Sequence, residues 1–315
     1  MKISVILPCF NGAATIESQL KALASQEWAG DWEVIVSNNG STDDSMAIVE
    51  RFRDQLPDLK IVDAHDPSGP RLGAGHSYNV GMRAATGEAF VFCESDDEVG
   101  VGWLAAMANG LKDHDFVVAR LDYLKLNAAL NSVTKRPRLQ ENDVPKLDCP
   151  PYYNFAFGCG FGFKRSLYKK LGDLSQQFNY VFDTEYCFRA QSVGFKIHFL
   201  QDAVIHYRLR QSPSAIFNQQ CRWGEEFKQL MCCYGFPRGK FAILWTLISI
   251  TSLLAKGSIL WPLSWLKISS DYEMKLLDLS NDLGWALGHL KALTKPLPSI
   301  NLSWDKLTIE EVRSQ

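Results

Sequence analysis

The first 120 residues repeat one pattern, a short apolar run followed by apolar residues at helical spacing. Such runs predict strands at Ser4–Leu7, Glu33–Ser37, Leu59–Val62, Ala89–Cys93 and Phe116–Ala119. Between the first two, Ala13–Ser25 carries Ile16, Leu20, Leu23 and Ala24 on one helical face. Gly40–Asp44 forms a turn and N-cap cluster, after which Met46, Val49 and Phe52 recur at helical spacing. His76–Thr86 predicts a third helix, with Gly87 in its C′ position. Strands and helices in alternation argue for an α/β fold, a three-layer sheet with helices on both faces.

From Leu121 to Pro151 this regularity ends, and a long irregular stretch in a compact domain is often a binding loop. It holds the basic run Lys135-Arg136-Pro137-Arg138. Phe155–Phe163 follows, rich in glycine and aromatics, and then Lys164-Arg165-Ser166 opens a helix. Asp183–Val193 predicts another helix, ended by Gly194, with short strands at Lys196–Leu200 and Ala203–Tyr207.

The last hundred residues differ in character. Phe241–Ala255 is uncharged, and Lys256-Gly257 interrupts it before Ser258–Leu266. The run is shorter than the ~20 residues that span a bilayer, and Pro262 argues against one continuous span. Trp245, Trp261 and Trp265 with Arg238, Lys240, Lys256 and Lys267 suit an interfacial helix pair. A helical subdomain packed on protein, including a second copy in a homo-oligomer, is the other reading.

Composition narrows the class. A hydrophobic share of 46% and a charged share of 22% suit a globular protein, and a net charge of −2 offers no footprint for nucleic acid. Eight cysteines include no C-x-x-C pair, which disfavours structural zinc and reads as buried thiols in a reducing, cytoplasmic setting. Ile3–Leu7 is too short for a leader and reads as a first strand.

One strand runs straight into acid: Ala89–Cys93, then Glu94-Ser95-Asp96-Asp97-Glu98. Ligands of open α/β sheets bind outside the carboxyl ends of strands, and Mg²⁺ commonly bridges carboxylates to substrate phosphates. Two readings stand side by side, a metal–diphosphate site and a solvated acidic turn.

Four motifs occur in order: Pro8-Cys9-Phe10-Asn11-Gly12, Ser37-Asn38-Asn39-Gly40-Ser41-Thr42-Asp43, Glu94–Asp97, and Asp183-Thr184-Glu185-Tyr186-Cys187-Phe188-Arg189. Together they resemble the family 2 glycosyltransferases over about residues 1–210. The resemblance implies the GT-A fold, a Rossmann-like three-layer α/β/α arrangement with a mostly parallel mixed sheet, here with a C-terminal helical extension. It divides the chain into a domain at 1–215, with a nucleotide half at 1–100 and an acceptor half at 101–215. A helical, partly apolar region covers 216–315. It implies an inverting enzyme using Mn²⁺ or Mg²⁺, a nucleotide-diphosphate sugar donor, and a carbohydrate or lipid-linked acceptor, as in surface polysaccharide synthesis.

The site residues follow from that alignment. Pro8, Asn11, Asn39, Asp43, Asn79 and Asp96 are the candidate donor contacts, Asp97, Asp96 and Glu94 the candidate metal ligands, and Asp183 the candidate general base. Asn39 and Glu94 stand where the family carries Asp, and Phe182 replaces an acid beside Asp183. Asp43 and Asp183 each have a second reading as a helix cap. Arg71 and His76 offer charge near the phosphates or sit in a solvated loop, and His206 is either a further ligand or structural. Gly158-Cys-Gly160-Phe-Gly162 lacks the spacing of a dinucleotide loop. The rivals are a nucleotidyltransferase, disfavoured because Cys9–Ala13 holds no basic residue, and a non-catalytic descendant that only binds.

Overall fold

The computed structural model describes residues 1–127, 138–265 and 272–298. Lys135, Arg136, Pro137, Leu266 and Lys267 lie outside the described residues. The chain divides into two compact units, residues 1–127 with 138–208, and the described residues from 209 on.

The first unit is built on a mixed sheet in the order β3-β2-β1-β4-β7-β6-β8-β5. Its strands are β1 (Ile3–Cys9), β2 (Trp32–Asn38), β3 (Leu59–Asp63), β4 (Ala89–Phe92), β5 (Glu98–Val99), β6 (Phe116–Asp122), β7 (Phe161–Lys164) and β8 (His198–His206). Strands β3, β2, β1 and β4 are parallel, β7 is antiparallel to both β4 and β6, and β8 runs parallel to β6. The carboxyl ends of β1, β2, β4, β6 and β8 therefore share one edge.

Six helices flank this sheet: α1 (Ile16–Ala24), α2 (Ser45–Glu50), α3 (Ala74–Ala84), α4 (Trp103–Asp113), α5 (Arg165–Leu171) and α6 (Phe182–Ser192). Close approach is set by small residues. A Cβ on Gly81 of α3 would stand 2.5 Å from Ile6 of β1 and 2.6 Å from the Ser37 hydroxyl of β2. The core between sheet and helices is aromatic, with Phe116 edge-on to both Phe161 and Phe163, and Phe163 against Tyr186.

A buried carboxylate that the sequence pattern does not announce ties the parallel half together. Glu33 on β2 accepts from Ser4 Oγ on β1 (2.6 Å), Thr86 N (2.6 Å) and Lys60 Nζ on β3 (2.6 Å). Burial pushes its carboxyl up, yet the hydrogen bonds from Lys60, Ser4 and Thr86 outweigh this and hold it well below the usual range.

Three expectations change here. Gly87 is not a helix C′ residue, since α3 ends at Ala84; its amide donates to Ser4 Oγ at 2.9 Å, and a Cβ would sit 2.4 Å from that oxygen. The two predicted late strands are one strand, β8. It reads as two because its register on β6 jumps from Ala119↔Leu200 to Arg120↔Val204, which bulges the intervening polar residues outward. In the second unit, the predicted helix pair is one helix, Lys240–Trp265, that runs through Gly257 and Pro262; against the expectation of too short a run, its stretch Lys240–Ser258 is long and apolar enough to cross a membrane.

That second unit holds α7 (Pro213–Cys233), α8 (Lys240–Trp265) and α9 (Tyr272–Thr294). Ser212 caps α7, accepting from Ala215 N at 3.2 Å with Pro213 in the first turn. Helices α7 and α9 pack backbone to backbone: a Cβ on Gly288 would lie 2.3 Å from the Cys221 carbonyl, and one on Gly284 2.5 Å from that of Phe217.

Candidate active site

At the ends of β1 and β2 the two following loops are laced together. Asn11, at φ 48°, accepts from Thr42 N at 2.8 Å through its side chain, and its own amide donates to Ser41 Oγ at 3.1 Å. Asp43 accepts from Ala13 N at 3.0 Å and from Ser45 N at 3.1 Å, with the Ser45 hydroxyl on the same carboxylate. These bonds, led by that of Ser45, hold the Asp43 carboxyl below its usual range. Asp43 thus braces the loops, and Asp44 rather than Asp43 stands at the N-cap of α2. Pro8 lies opposite Ser37, one pair before the strand ends.

Asn39 is buried and half-satisfied. Its Nδ2 donates to the Leu72 carbonyl at 2.8 Å, while its Oδ1 is buried without a hydrogen-bond partner among the described residues. A carbonyl only accepts, so this contact fixes the amide orientation and makes the orphan an acceptor. Nearby, the Arg71 guanidinium stacks 3.5 Å above the Phe10 ring, which joins the loop before α3 to the end of β1.

The acidic segment joins β4 to β5 and so passes along the carboxyl edge of the sheet. Gln19 of α1 secures it from beneath, donating to the Glu94 carbonyl at 3.0 Å and accepting from Val99 N at 2.9 Å. Glu94, Asp96 and Asp97 each offer a carboxylate oxygen within 4.8 Å of the others. Asp97 is buried beside the Cys159 thiol; its Oδ1 accepts from Arg208 N at 2.8 Å, and its Oδ2 meets no nitrogen or oxygen donor among the described residues. Burial, then the charges of Asp96 and Glu94, push the Asp97 carboxyl well up. An oxygen-only donor set with a buried orphan oxygen fits a hard divalent cation such as Mn²⁺ or Mg²⁺.

Asp183 sits inside the first turn of α6 rather than before it. Its Oδ2 accepts from Gly158 N at 2.9 Å and its Oδ1 from Thr184 N at 2.7 Å. Phe182, buried beside it, packs against Gly75 and Gly158, where a Cβ on either would approach its ring within 3.1 Å. Burial pushes the Asp183 carboxyl up to about 6, against the pull of the Gly158 and Thr184 amides. Between Asp183 and the acidic segment lies the buried Cys159 thiol. It is pushed well up by burial and then by the charges of Asp97, Glu94, Asp183 and Asp96. One buried thiol thus feels the charge of all four carboxylates.

Two of the candidates are engaged by other groups of the chain. Asn79 is fully buried, and both ends of its amide are engaged with the Leu174 backbone, at 2.9 and 2.8 Å. It anchors the segment after α5. His206 pairs with Glu98 across β5 and β8, and its Nδ1 lies 2.6 Å from Asp122 Oδ2 at the end of β6. Glu185 and Arg189 form a bidentate ion pair at 3.0 and 2.8 Å along α6.

Two residues of this site escape sequence reasoning. Arg208, just past β8, places its Nε 2.7 Å from the Asp96 carbonyl, and its terminal nitrogens make no hydrogen bond among the described residues. No local pattern marks it. Gln19 had a signal, a polar side chain on the apolar stripe of α1 three residues after Ile16.

The profile of "Glycosyl transferase family 2" matches residues 4–172, more than half of the chain. The chain belongs to that family. Among curated relatives, a poly(ribitol-phosphate) beta-N-acetylglucosaminyltransferase, TarS of Staphylococcus aureus (strain Mu50 / ATCC 700699), is 36% identical over 115 residues. The match covers 36% of this chain but only 19% of that relative. Solved structures share the GT-A fold. The mannosyltransferase PcManGT of Pyrobaculum calidifontis, in complex with GDP-Man and Mn²⁺, superposes with TM-score 0.61 at 19% identity over 91% of this chain and 86% of its own. TarS 1–349 of S. aureus in complex with UDP-GlcNAc gives 0.54 at 18% identity over 92% and 90%.

Proposed function

We propose that this chain is a metal-dependent inverting glycosyltransferase that moves a sugar from a nucleoside diphosphate sugar to a hydroxyl of a carbohydrate or lipid-linked acceptor. The observation that carries this reading is the cluster of Glu94, Asp96 and Asp97 carboxylates at the carboxyl edge of the sheet, with Asp183 held at the Gly158 amide next to Cys159. A diphosphate donor needs charge neutralisation and a nearby base, and this arrangement offers both.

Asp183 takes the acceptor proton. A carboxyl at about 6 is ionised at neutral pH yet more basic than an exposed aspartate. As the acceptor oxygen bonds to C1, the bond from C1 to the diphosphate oxygen breaks and the hydroxyl proton passes to Asp183. This single displacement inverts the anomeric centre. A cation held by Asp97, Asp96 and Glu94 supplies Lewis-acid stabilisation of the departing diphosphate when bound. Arg208, anchored at the Asp96 carbonyl, offers its terminal nitrogens to the same phosphates.

The orphan Oδ1 of Asn39 narrows the base. It accepts from a ring N–H, which uracil and guanine possess and cytosine and adenine lack. The UDP-GlcNAc and GDP-Man complexes of the two structural relatives support that class. Eight free cysteines support a reducing, cytoplasmic setting. The relative that acts on poly(ribitol-phosphate) supports a surface polymer or related glycan as acceptor class.

The test is a thermal-shift panel of nucleoside diphosphates and their sugars with and without Mn²⁺, followed by transfer assays with Asp183→Asn. Metal-dependent stabilisation by UDP or GDP, retained in Asp183→Asn while transfer falls by about 10²–10⁴, supports the reading. Transfer undiminished in that variant removes Asp183 as the base.

A further inference from the structure

Over Lys240–Ser258, helix α8 is apolar and largely exposed. Of Lys240–Ser258 only Ile250 is buried, while Phe241 is 79% exposed, Trp245 67% and Leu254 54%, with Leu244, Leu247 and Ile248 also exposed. A patch of this size on a water-soluble surface calls for a partner. The half-buried residues of α8 (Ala242, Ile243, Thr246, Leu253 and Gly257) fall with Ile250 on one stripe, and α8 packs along α9. At Gly257 a Cβ would lie 3.1 Å from Leu279 of α9. The uncovered apolar residues therefore occupy the opposite side.

We infer that this outward side of α8 seats on an anionic lipid bilayer, with the helix lying in the plane of one leaflet. Charge selects the occupant. From Phe227 to Ser270 the chain has five basic residues and no acidic one. Lys240 and Lys256, both exposed, bracket the bare apolar face, from where their ammonium groups reach headgroup phosphates while their stems follow the acyl boundary. Exposed Trp245 between them matches the aromatic preference for that boundary. Orientation follows from α9, which carries Lys275, Asp278, Asp282 and Lys291 and so stays out of hydrocarbon. Arg238 fixes the lead-in to α8 onto the end of α9, binding the carbonyls of Ala292 (3.2 Å), Leu293 (3.3 Å) and Lys295. A helix bound to α9 in this way lies flat beside it.

The experiment is vesicle flotation of the full chain with phosphatidylcholine vesicles, with and without phosphatidylglycerol. The expected result is binding that requires the anionic lipid and weakens in high salt. Trp245→Glu with Ile248→Glu should cut binding by about tenfold or more, and Lys240→Glu with Lys256→Glu by about fivefold per lysine, on anionic vesicles only. Nucleotide binding should persist in both variants, so failure here leaves the catalytic reading untouched. Absence of flotation at low salt overturns the inference. So does a stable oligomer that the tryptophan variant dissolves, because the occupant is then a second copy.

Discussion

Gly158 donates its backbone amide to Asp183 Oδ2 at 2.9 Å. The bond aims the carboxylate, and burial sets its proton affinity at about 6. Because the base works ionised, kcat/KM should fall tenfold per pH unit below about 6 and level off above it. A pH–rate profile checks this. An acid limb centred near pH 4 would assign the proton to an exposed carboxyl instead.

The acidic segment predicts an inverse pairing of stability and metal response. A buried Asp97 beside two like charges opposes folding when no cation is bound. Asp97→Asn should therefore melt at a higher temperature than the wild type in chelator. It should also lose the Mn²⁺-induced rise that the wild type shows. Thermal melts in chelator and in Mn²⁺ read both effects, and a lower melting point for the variant in chelator contradicts the account.

For the base pocket, Asn39→Ala removes the orphan acceptor. UDP or GDP should bind about 3- to 10-fold more weakly, the scale of one net hydrogen bond, while CDP and ADP change little. Calorimetric titration of the four nucleotides decides it. A uniform loss across all four would mean that Asn39 acts only by holding Leu72.

Glu33 gives a stability prediction remote from chemistry. Its side chain is fully buried and paired with Lys60, so Glu33→Gln should cost about 3–5 kcal/mol in denaturant unfolding. Its depressed carboxyl contributes stability that is complete above the ordinary carboxylate range. That contribution is lost only as pH falls through the depressed value. The difference between wild type and variant should thus shrink on strong acidification.

Gly288 should invert the usual helix rule. Glycine to alanine inside a helix ordinarily stabilises by about 1 kcal/mol. Here the new methyl would stand 2.3 Å from the Cys221 carbonyl, so Gly288→Ala should instead destabilise by about 1–3 kcal/mol. Circular dichroism melts test the sign.

Much of the first unit was legible because its strands are apolar runs and its turns carry Gly, Asn and Asp at strand ends. The acidic segment stood out because five polar residues follow a fully buried strand. What escaped was long-range. Asn79 looks like a polar residue offered to a pocket, but only the fold brings Leu174 to both ends of its amide. Arg208 became a site residue through the β5–β8 pairing, which brings the chain after β8 beside Asp96 and Asp97. Lys256-Gly257 has the composition of a turn and so predicts a helix pair, whereas in the fold Gly257 serves as a flat contact for Leu279 within one helix.

Gln19 grips the acidic segment at both ends, at the Glu94 carbonyl and the Val99 amide. The span that carries three carboxylates is thus held at both ends by one neutral side chain. A cation arriving there finds its ligands already assembled and spends little on gathering them. Gln19→Ala would leave every ligand in place chemically and yet make the site slack, so the grip of a metal site in this fold can be tuned from a helix that never touches the metal.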